Sequence, residues 1–358
     1  MGEIEKMSVL MVGVDESTKG GMWTVVENYL QDKDFVNRND LVYVPTSITG
    51  CSILKRLLFT ASAFLKIKKV FKNKKITITH VHMSERASII RKRIVMDYAK
   101  KHGAKVVLHM HGAEFEVLYK QMNESRQKFV KETLDIADKI VILGEYWRDF
   151  IGELINDESK ICVVYNAVKV PEKYEYDINS NVILFLGAVS KRKGINILLD
   201  ALKQVEQDIQ KKVNVKIYGP DVEKNIIDCI NTAGLQNWVE YCGWLGKDEK
   251  KSVLMKTAIN VLPSYNEGLP MTILEAMSYG VPTISTAIAA IPEVINDKNG
   301  VLVSPGNVEE LENAIESLLS NNDLREFLSR NAYEDAKTKF SIDKHIKNIQ
   351  NIYMEISQ

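Results

Sequence analysis

Long apolar runs are missing from this chain: none of its 358 residues falls in a stretch approaching the roughly 18–20 residues that cross a bilayer. A secretory leader is not expected either. The opening residues, MGEIEKMSVLMVGV, carry acids where a leader wants bases, with no separate apolar segment and cleavage site, so a cytoplasmic protein is expected. The four cysteines, Cys51, Cys162, Cys229 and Cys242, form no CxxC pair, which argues against a disulfide scaffold or a zinc ribbon. With 8 prolines and 19 glycines the chain is too poor in both for a low-complexity or collagen-like sequence. An excess of one charge is absent as well, 47 basic residues meeting 47 acidic ones. The basic stretches carry neither a motif nor interleaved aromatics that would mark a nucleic-acid surface, so no nucleic-acid partner is expected.

What is present is globular composition, 45% hydrophobic and 26% charged, in a length that suits two domains. The neutral total hides an asymmetry. Residues 1–170 hold 27 Lys and Arg against 21 Asp and Glu, a net of +6, so the remainder carries −6. Residues 51–105 hold 15 bases and only two acids, Glu85 and Asp97. That makes a positive potential on one region, unless the region is merely a solvated face balanced elsewhere.

Strand and helix patterns alternate. Residues 7–14, 41–45, 76–82, 105–111 and 139–144 read as buried strands, and 53–71 as a helix with apolar residues at spacings of three and four. Residues 166–181 are polar, contain Pro171 and have no period, which reads as a linker. The alternation then restarts with strands at 182–187, 213–219, 238–243, 258–263, 281–286 and 300–305. The fold class is therefore α/β: two doubly wound parallel-sheet domains, 1–168 and 181–340, joined by 169–180, with a last helix over 341–358. In such sheets ligands sit beyond the carboxyl ends of the strands, so chemistry is expected in a cleft between the domains.

The stretch LPSYNEGLPMTILEAMSYGVPTIST, 262–286, carries the most chemistry. A strand ends at Pro263, a loop follows, and a helix is expected to begin with Pro270 as its first residue, where a missing N–H costs nothing. The free N–H groups of that turn and the helix dipole suit an anion. Glu267 lies just before it and Glu275 about 7–8 Å along its axis. A diphosphate at the helix start would have a carboxylate on either side, each able to accept from paired sugar hydroxyls. Surface charges without a role are the plain alternative on spacing alone.

This block resembles the Glu–seven residues–Glu signature of the retaining glycosyltransferases of family 4. The order of the other motifs agrees: KGGMWTVVENYL, HMHGAEFE, VYNAV, FLGAVSKRKG and IPEVINDKNGVLVSPGN. The resemblance spans nearly the whole chain. It implies the GT-B architecture, two Rossmann-like domains with the nucleotide-sugar held mostly by the second and the last helix crossing back onto the first. It further implies retained anomeric configuration and no metal or other cofactor.

The same resemblance puts the transferred sugar on Glu267 and the nucleotide ribose on Glu275, with Gly268, Leu269 and Pro270 at the donor. It gives the diphosphate to Lys193, the lysine before glycine in SKRKG. The family's arginine directly after the strand glycine is here Ala188, and Lys191 or Arg192 is the expected substitute. Gly21 is implied at the donor phosphate and His111 beside the transferred sugar. His109 and His111, two apart at a strand end, share a face but find no clear third metal ligand, His80 and His82 share a face of their own strand, and Asp32-Lys33-Asp34 reads as a solvated turn rather than a metal-binding DxD. Asn166 with Ala167 matches an inter-domain turn. Ala289-Ala290 stands where paired glycines are usual, near the donor sugar in relatives.

The function expected is transfer of a sugar from a nucleotide-diphosphate donor, a UDP-sugar ahead of a GDP-sugar, to a glycan or lipid-linked hydroxyl in bacterial-type surface polysaccharide synthesis. A sugar-nucleotide epimerase and a non-catalytic sugar-nucleotide-binding protein are the alternatives. The basic region 55–93 adds peripheral contact with anionic lipid at the inner face of the cell membrane. There the apolar stripe of the helix over 53–71 is expected to be buried, leaving charge to make the contact.

Overall fold

The computed structural model describes residues 7–358 apart from Lys19, Glu206 and Lys211. Glu3 and Glu5, used above against a leader, lie outside the described residues. The chain forms two compact units, Met1–Asn166 with Asp343–Gln358, and Ala167–Ile342.

The first unit carries six parallel strands: β1 (Val9–Gly13), β2 (Val42–Pro45), β3 (Ile78–Met83), β4 (Lys105–Met110), β5 (Lys139–Ile142) and β6 (Ile161–Val163), in the order β2-β1-β3-β4-β5-β6. The second carries β7 (Val182–Leu186), β8 (Asn214–Tyr218), β9 (Val239–Gly243), β10 (Thr257–Leu262), β11 (Thr283–Thr286) and β12 (Gly300–Val303), in the order β12-β11-β10-β7-β8-β9. Helices separate most of the strands. The near-continuous apolar content of β1 and β7 follows from this: strands covered on both faces have no polar side to present. The fold is α/β with two doubly wound parallel sheets.

Three local readings change. Strand β6 is only Ile161-Cys162-Val163, too short for any period to show in the sequence. The stretch 169–180 is fastened to its own unit by tyrosines: Tyr174 hydrogen bonds to Ser329 at 2.8 Å, Tyr176 donates to the Ala258 carbonyl at 2.7 Å, and Tyr333 donates to the Pro171 carbonyl at 2.7 Å. On the Ile53–Asn73 helix the buried residues are Ala63 and Ile67, whereas Leu54, Leu57, Leu58 and Leu65 point to solvent. The period marks faces correctly but not which face meets the protein.

The basic region is also narrower than its composition suggests. Lys92 is buried, Arg93 is engaged by Glu132 at 3.2 Å and Asp97 at 3.7 Å, and Arg86 lies 3.7 Å from Glu114.

Candidate functional site

In the second sheet the chain runs outward in opposite directions from β7 and β10, which lie side by side. Loops leaving the carboxyl ends of two such strands diverge and open a crevice for ligands. The loop after β7 holds Ala188 and the helical turn Lys191–Lys193, and the loop after β10 holds Ser264 to Pro270.

Gly194 lets these loops meet. Its φ of +76° is left-handed, and a Cβ there would overlap the carbonyl oxygen of Pro263. The Tyr265 N–H donates to the Arg192 carbonyl at 2.8 Å, closing the seam. Arg192 Nη1 donates to the Asn266 carbonyl at 2.6 Å and stands 3.9 Å from Glu267 Oε2. Lys193 Nζ is paired with Glu267 Oε1, the oxygen that also accepts from the Ser264 hydroxyl at 2.7 Å. Glu267 is 5% exposed. A carboxylate that deep keeps its charge only if paired and hydrogen-bonded, and two cations and a hydroxyl from adjacent positions do that. Of the two candidates to replace the arginine missing at Ala188, Arg192 reaches this assembly; Lys191 is exposed, with its N–H donating to the Glu223 carboxylate at 3.0 Å.

The helix expected at Pro270 runs from Met271 to Ser278. Pro270 is extended, with φ −71° and ψ 125°, and its carbonyl accepts the Ile273 N–H at 3.2 Å, so it caps the helix rather than beginning it. Gly268 and Leu269 are buried just before it. Glu275, fifth in the helix, pairs through Oε1 with Lys250 at 2.7 Å, while its buried Oε2 has no hydrogen-bond partner among the described residues. A carboxylate held through one oxygen keeps acceptor capacity for hydroxyl donors on the other.

The remaining two expected residues belong to the first unit. Gly21 is the exposed first residue of the helix Gly21–Gln31, following Gly20. His111 follows β4, its N–H donating to the Met83 carbonyl at 2.8 Å. It ends a stack of imidazoles. His82 and His109 are register partners on β3 and β4, with His80 two residues before His82 and His345 reaching in from the last helix, Ile342–Ser357. His82 Nδ1 and His111 Nε2 are 2.8 Å apart, and His80 Nδ1 meets the Tyr353 hydroxyl at 2.6 Å. His345 donates through Nδ1 to the Tyr165 carbonyl at 2.7 Å and bonds through Nε2 to Tyr29. Burial lowers the basicity of every ring, to about 3 at His80 and His111 and about 4 at His345.

His80, His82 and His109 each bring a ring nitrogen within 4.8 Å of the others. Their planes, however, are 12° to 29° apart. Ring lone pairs lie in those planes, so near-parallel rings aim them side by side rather than at one point, and the cluster suits stacking better than coordination.

Several residues escaped the sequence reading. Ser264 and Lys250 act as partners of the two glutamates, and no motif marks a partner. Lys92, from the helix Ala87–Lys101, is fully enclosed and donates to the Gly13 carbonyl at 3.2 Å and Thr46 Oγ1 at 2.5 Å, tying together the carboxyl ends of β1 and β2. Burial holds its basicity well below that of an ordinary lysine. In the sequence it is one more base in a basic run.

Comparison with known proteins agrees with this fold. Residues 26–170 match the family described as Glycosyltransferase Family 4, and residues 167–335 match Glycosyl transferases group 1. An uncharacterised glycosyltransferase of Methanocaldococcus jannaschii is 26% identical over 98% of this chain and 99% of its own. The O-antigen chain mannosyltransferase B of Escherichia coli is 24% identical over 59% of each chain. Among solved structures, the Anabaena protein HepE, crystallised with UDP-glucose, superposes with a TM-score of 0.76 at 16% identity, over 98% of this chain and all of that one. The two family matches run without a break from residue 26 to residue 335, each on one of the two sheets, and the chain belongs to the GT-B glycosyltransferases of the family 4 type.

Proposed function

We propose that this glycosyltransferase moves a sugar from a nucleotide-diphosphate donor, a UDP-sugar ahead of a GDP-sugar, to a hydroxyl of a glycan or lipid-linked acceptor, retaining the anomeric configuration without a metal ion. The observation that carries the reading is the assembly of Arg192, Lys193 and Glu267 at the β7–β10 switch point, with Glu275 five residues into the helix behind it. Cations and a pinned carboxylate at that crevice suit a diphosphate attached to a sugar.

In this reading Arg192 and Lys193 face the diphosphate, and Arg192 takes the place of the arginine absent at Ala188. The acceptor oxygen bonds to the anomeric carbon on the face from which the diphosphate departs. The bond from that carbon to the diphosphate oxygen breaks, and a diphosphate oxygen receives the acceptor's proton. Negative charge grows on the leaving group as it departs, and fixed cations stabilise it without reorganisation. Glu267 orients the sugar and Glu275 holds the ribose through its unpaired oxygen. Gly21 and His111 contribute from the first unit, His111 as a neutral ring. The O-antigen mannosyltransferase among the relatives supports surface polysaccharide synthesis as the setting. The Anabaena complex with UDP-glucose supports a UDP-sugar.

A panel of UDP-, GDP- and dTDP-sugars, read by thermal stabilisation and then by donor hydrolysis and transfer, tests the donor. The anomeric configuration of the product, read by NMR, tests retention. A product of inverted configuration, or strict need for a divalent ion, would sink this mechanism.

A further inference from the structure

The Ile53–Asn73 helix leaves uncovered a face that the glycosyltransferase reading does not use. Ile53, Leu54, Leu57, Leu58 and Leu65 are between 62% and 76% exposed. At about 100° per residue they occupy an arc of roughly 140°, and they run about 18 Å along the axis. Residues beside this arc, and others further along the axis, hold the helix to its unit. Ala63 and Ile67 are buried, Thr60 donates to the Thr46 carbonyl at 3.2 Å, and Phe64 and Phe71 pack edge-on against Tyr98 of the next helix. That neighbour, Ala87–Lys101, exposes Ile90 and Ile94 one turn apart.

Charge selects what covers this face. No acid occurs between Asp40 and Glu85, while the interval holds Lys55, Arg56, Lys66, Lys68, Lys69, Lys72, Lys74 and Lys75. Lys74 is engaged by Asp40 at 2.8 Å. Lys66, Lys69 and Lys72 are exposed and have no acidic partner among the described residues. Ile53 and three leucines lie in the first two turns, Leu65 follows in the fourth, and lysines crowd the last two. A second copy of the chain seated on the same face would bring two sets of bases together with no acid between them. A bilayer bearing anionic headgroups satisfies both halves at once. No helix among the described residues is long and apolar enough to cross a membrane, so an element of this kind lies in the interface.

We propose that the Ile53–Asn73 helix docks the protein on an anionic bilayer, its leucine face inserting at the boundary of headgroups and acyl chains and its lysines meeting the lipid phosphates. Insertion replaces the purely electrostatic contact expected from the sequence, because the stripe that was to be buried faces outward. The inference is independent of donor chemistry.

Co-sedimentation of the full chain with vesicles of phosphatidylglycerol and phosphatidylcholine in equal parts, and of phosphatidylcholine alone, across a sodium chloride series, tests it. Binding to the anionic vesicles should weaken as salt rises. The double variant Leu54→Ser/Leu58→Ser should bind them about tenfold or more weakly at fixed salt, since it removes two inserting side chains. Its melting temperature and UDP-sugar binding should stay unchanged, because both side chains are exposed and far in sequence from the donor site. Lys66→Glu/Lys69→Glu should weaken binding at low salt and flatten the salt dependence. No binding to anionic vesicles at low salt, equal binding to neutral ones, or a leucine variant that binds like the parent would overturn the proposal. A dimer in sedimentation velocity that the leucine variant abolishes would overturn it too, by giving the face to a second copy.

Discussion

Lys193 and Glu267 form an ion pair across two loops, 74 residues apart in sequence, that leave adjacent strands at the switch point of the second sheet. The lysine that the proposed mechanism gives to the diphosphate is thus already held by the carboxylate given to the sugar. The pair couples the two halves of the donor site.

Glu267→Gln should therefore separate chemistry from binding. Turnover should fall by on the order of 10²-fold or more, the scale of losing a group that acts in the transition state. Affinity for the free nucleoside diphosphate should hold or rise, because Lys193 is released to the phosphate. Calorimetric titration with UDP checks this, and a marked loss of UDP affinity would refute the division of roles.

Lys193→Ala should lower the rate by about 10²-fold or more. Lys193→Arg should recover only part of it, since a planar fork places its donors differently from an ammonium. The alanine variant also leaves a buried carboxylate with Ser264 and the more distant Arg192. A destabilisation approaching the roughly 3–5 kcal/mol of a broken buried pair, reduced by those two contacts, should appear in denaturant melts. Near-parental turnover would transfer the phosphate to Arg192.

Glu275→Ala should weaken nucleotide binding itself, by roughly tenfold or more, through loss of a charged acceptor for hydroxyls. Lys250→Ala should do so more mildly, because it frees Oε1 without removing the acceptor. Deoxyribonucleotide controls decide whether the effect runs through the ribose: an equal loss with UDP and its 2′,3′-dideoxy form would place Glu275 elsewhere.

The imidazole stack should make the first unit acid-sensitive well above the pH at which carboxylates titrate. Each buried ring has its folded basicity lowered by burial first; neighbouring charges lower it further at His80, His82, His109 and His111, whereas at His345 the bond to the Tyr165 carbonyl opposes the shift. The unfolded chain binds protons below about pH 6.5, whereas the folded rings take theirs near 3 at His80 and His111 and near 4 at His345. Stability is thus full above pH 6.5 and falls as pH drops toward 4, by up to about 1.4 kcal/mol per pH unit for each ring fully protonated in the unfolded chain alone. Urea melts at pH 7, 6 and 5 measure the slope. A flat profile over that range would mean the rings are not held neutral.

Gly194→Ala should cost more than Gly234→Ala, although both glycines have φ near +75°. Left-handed strain is common to both, about 1–2 kcal/mol. Only at Gly194 would the new Cβ meet backbone, at Pro263. The difference in melting temperature, and loss of donor binding by Gly194→Ala alone, checks that the seam between the loops positions the site.

Most of the architecture could be read in advance because strands covered on both faces are written as apolar runs of four to six residues. Val-Leu-Met-Val in β1 and Val-Ile-Leu-Phe-Leu in β7 are such runs, and β6 is not, with only three residues. The glutamates and Lys193 stood out through spacing and resemblance. Ser264, Lys250 and Lys92 did not, because each matters through a partner distant in sequence, and distance in space is not written locally. The outward leucines of the Ile53–Asn73 helix show the same gap: a helical period fixes an angle, but solvent and neighbour are decided by elements elsewhere.

The last helix lays His345 and Tyr353 against Tyr29 and His80, in a unit whose other residues end at Asn166. The chain between them, Ala167 to Ile342, is the whole of the second unit. On a ribosome, then, order of birth and order of completion are reversed. The second unit can close as soon as its own strands have emerged. The first, though made earlier, keeps its histidines and tyrosines uncovered until Asp343–Gln358 arrives, and closing it spans a loop of an entire folded unit. Loss of those final residues would cost the older half of the protein and spare the younger.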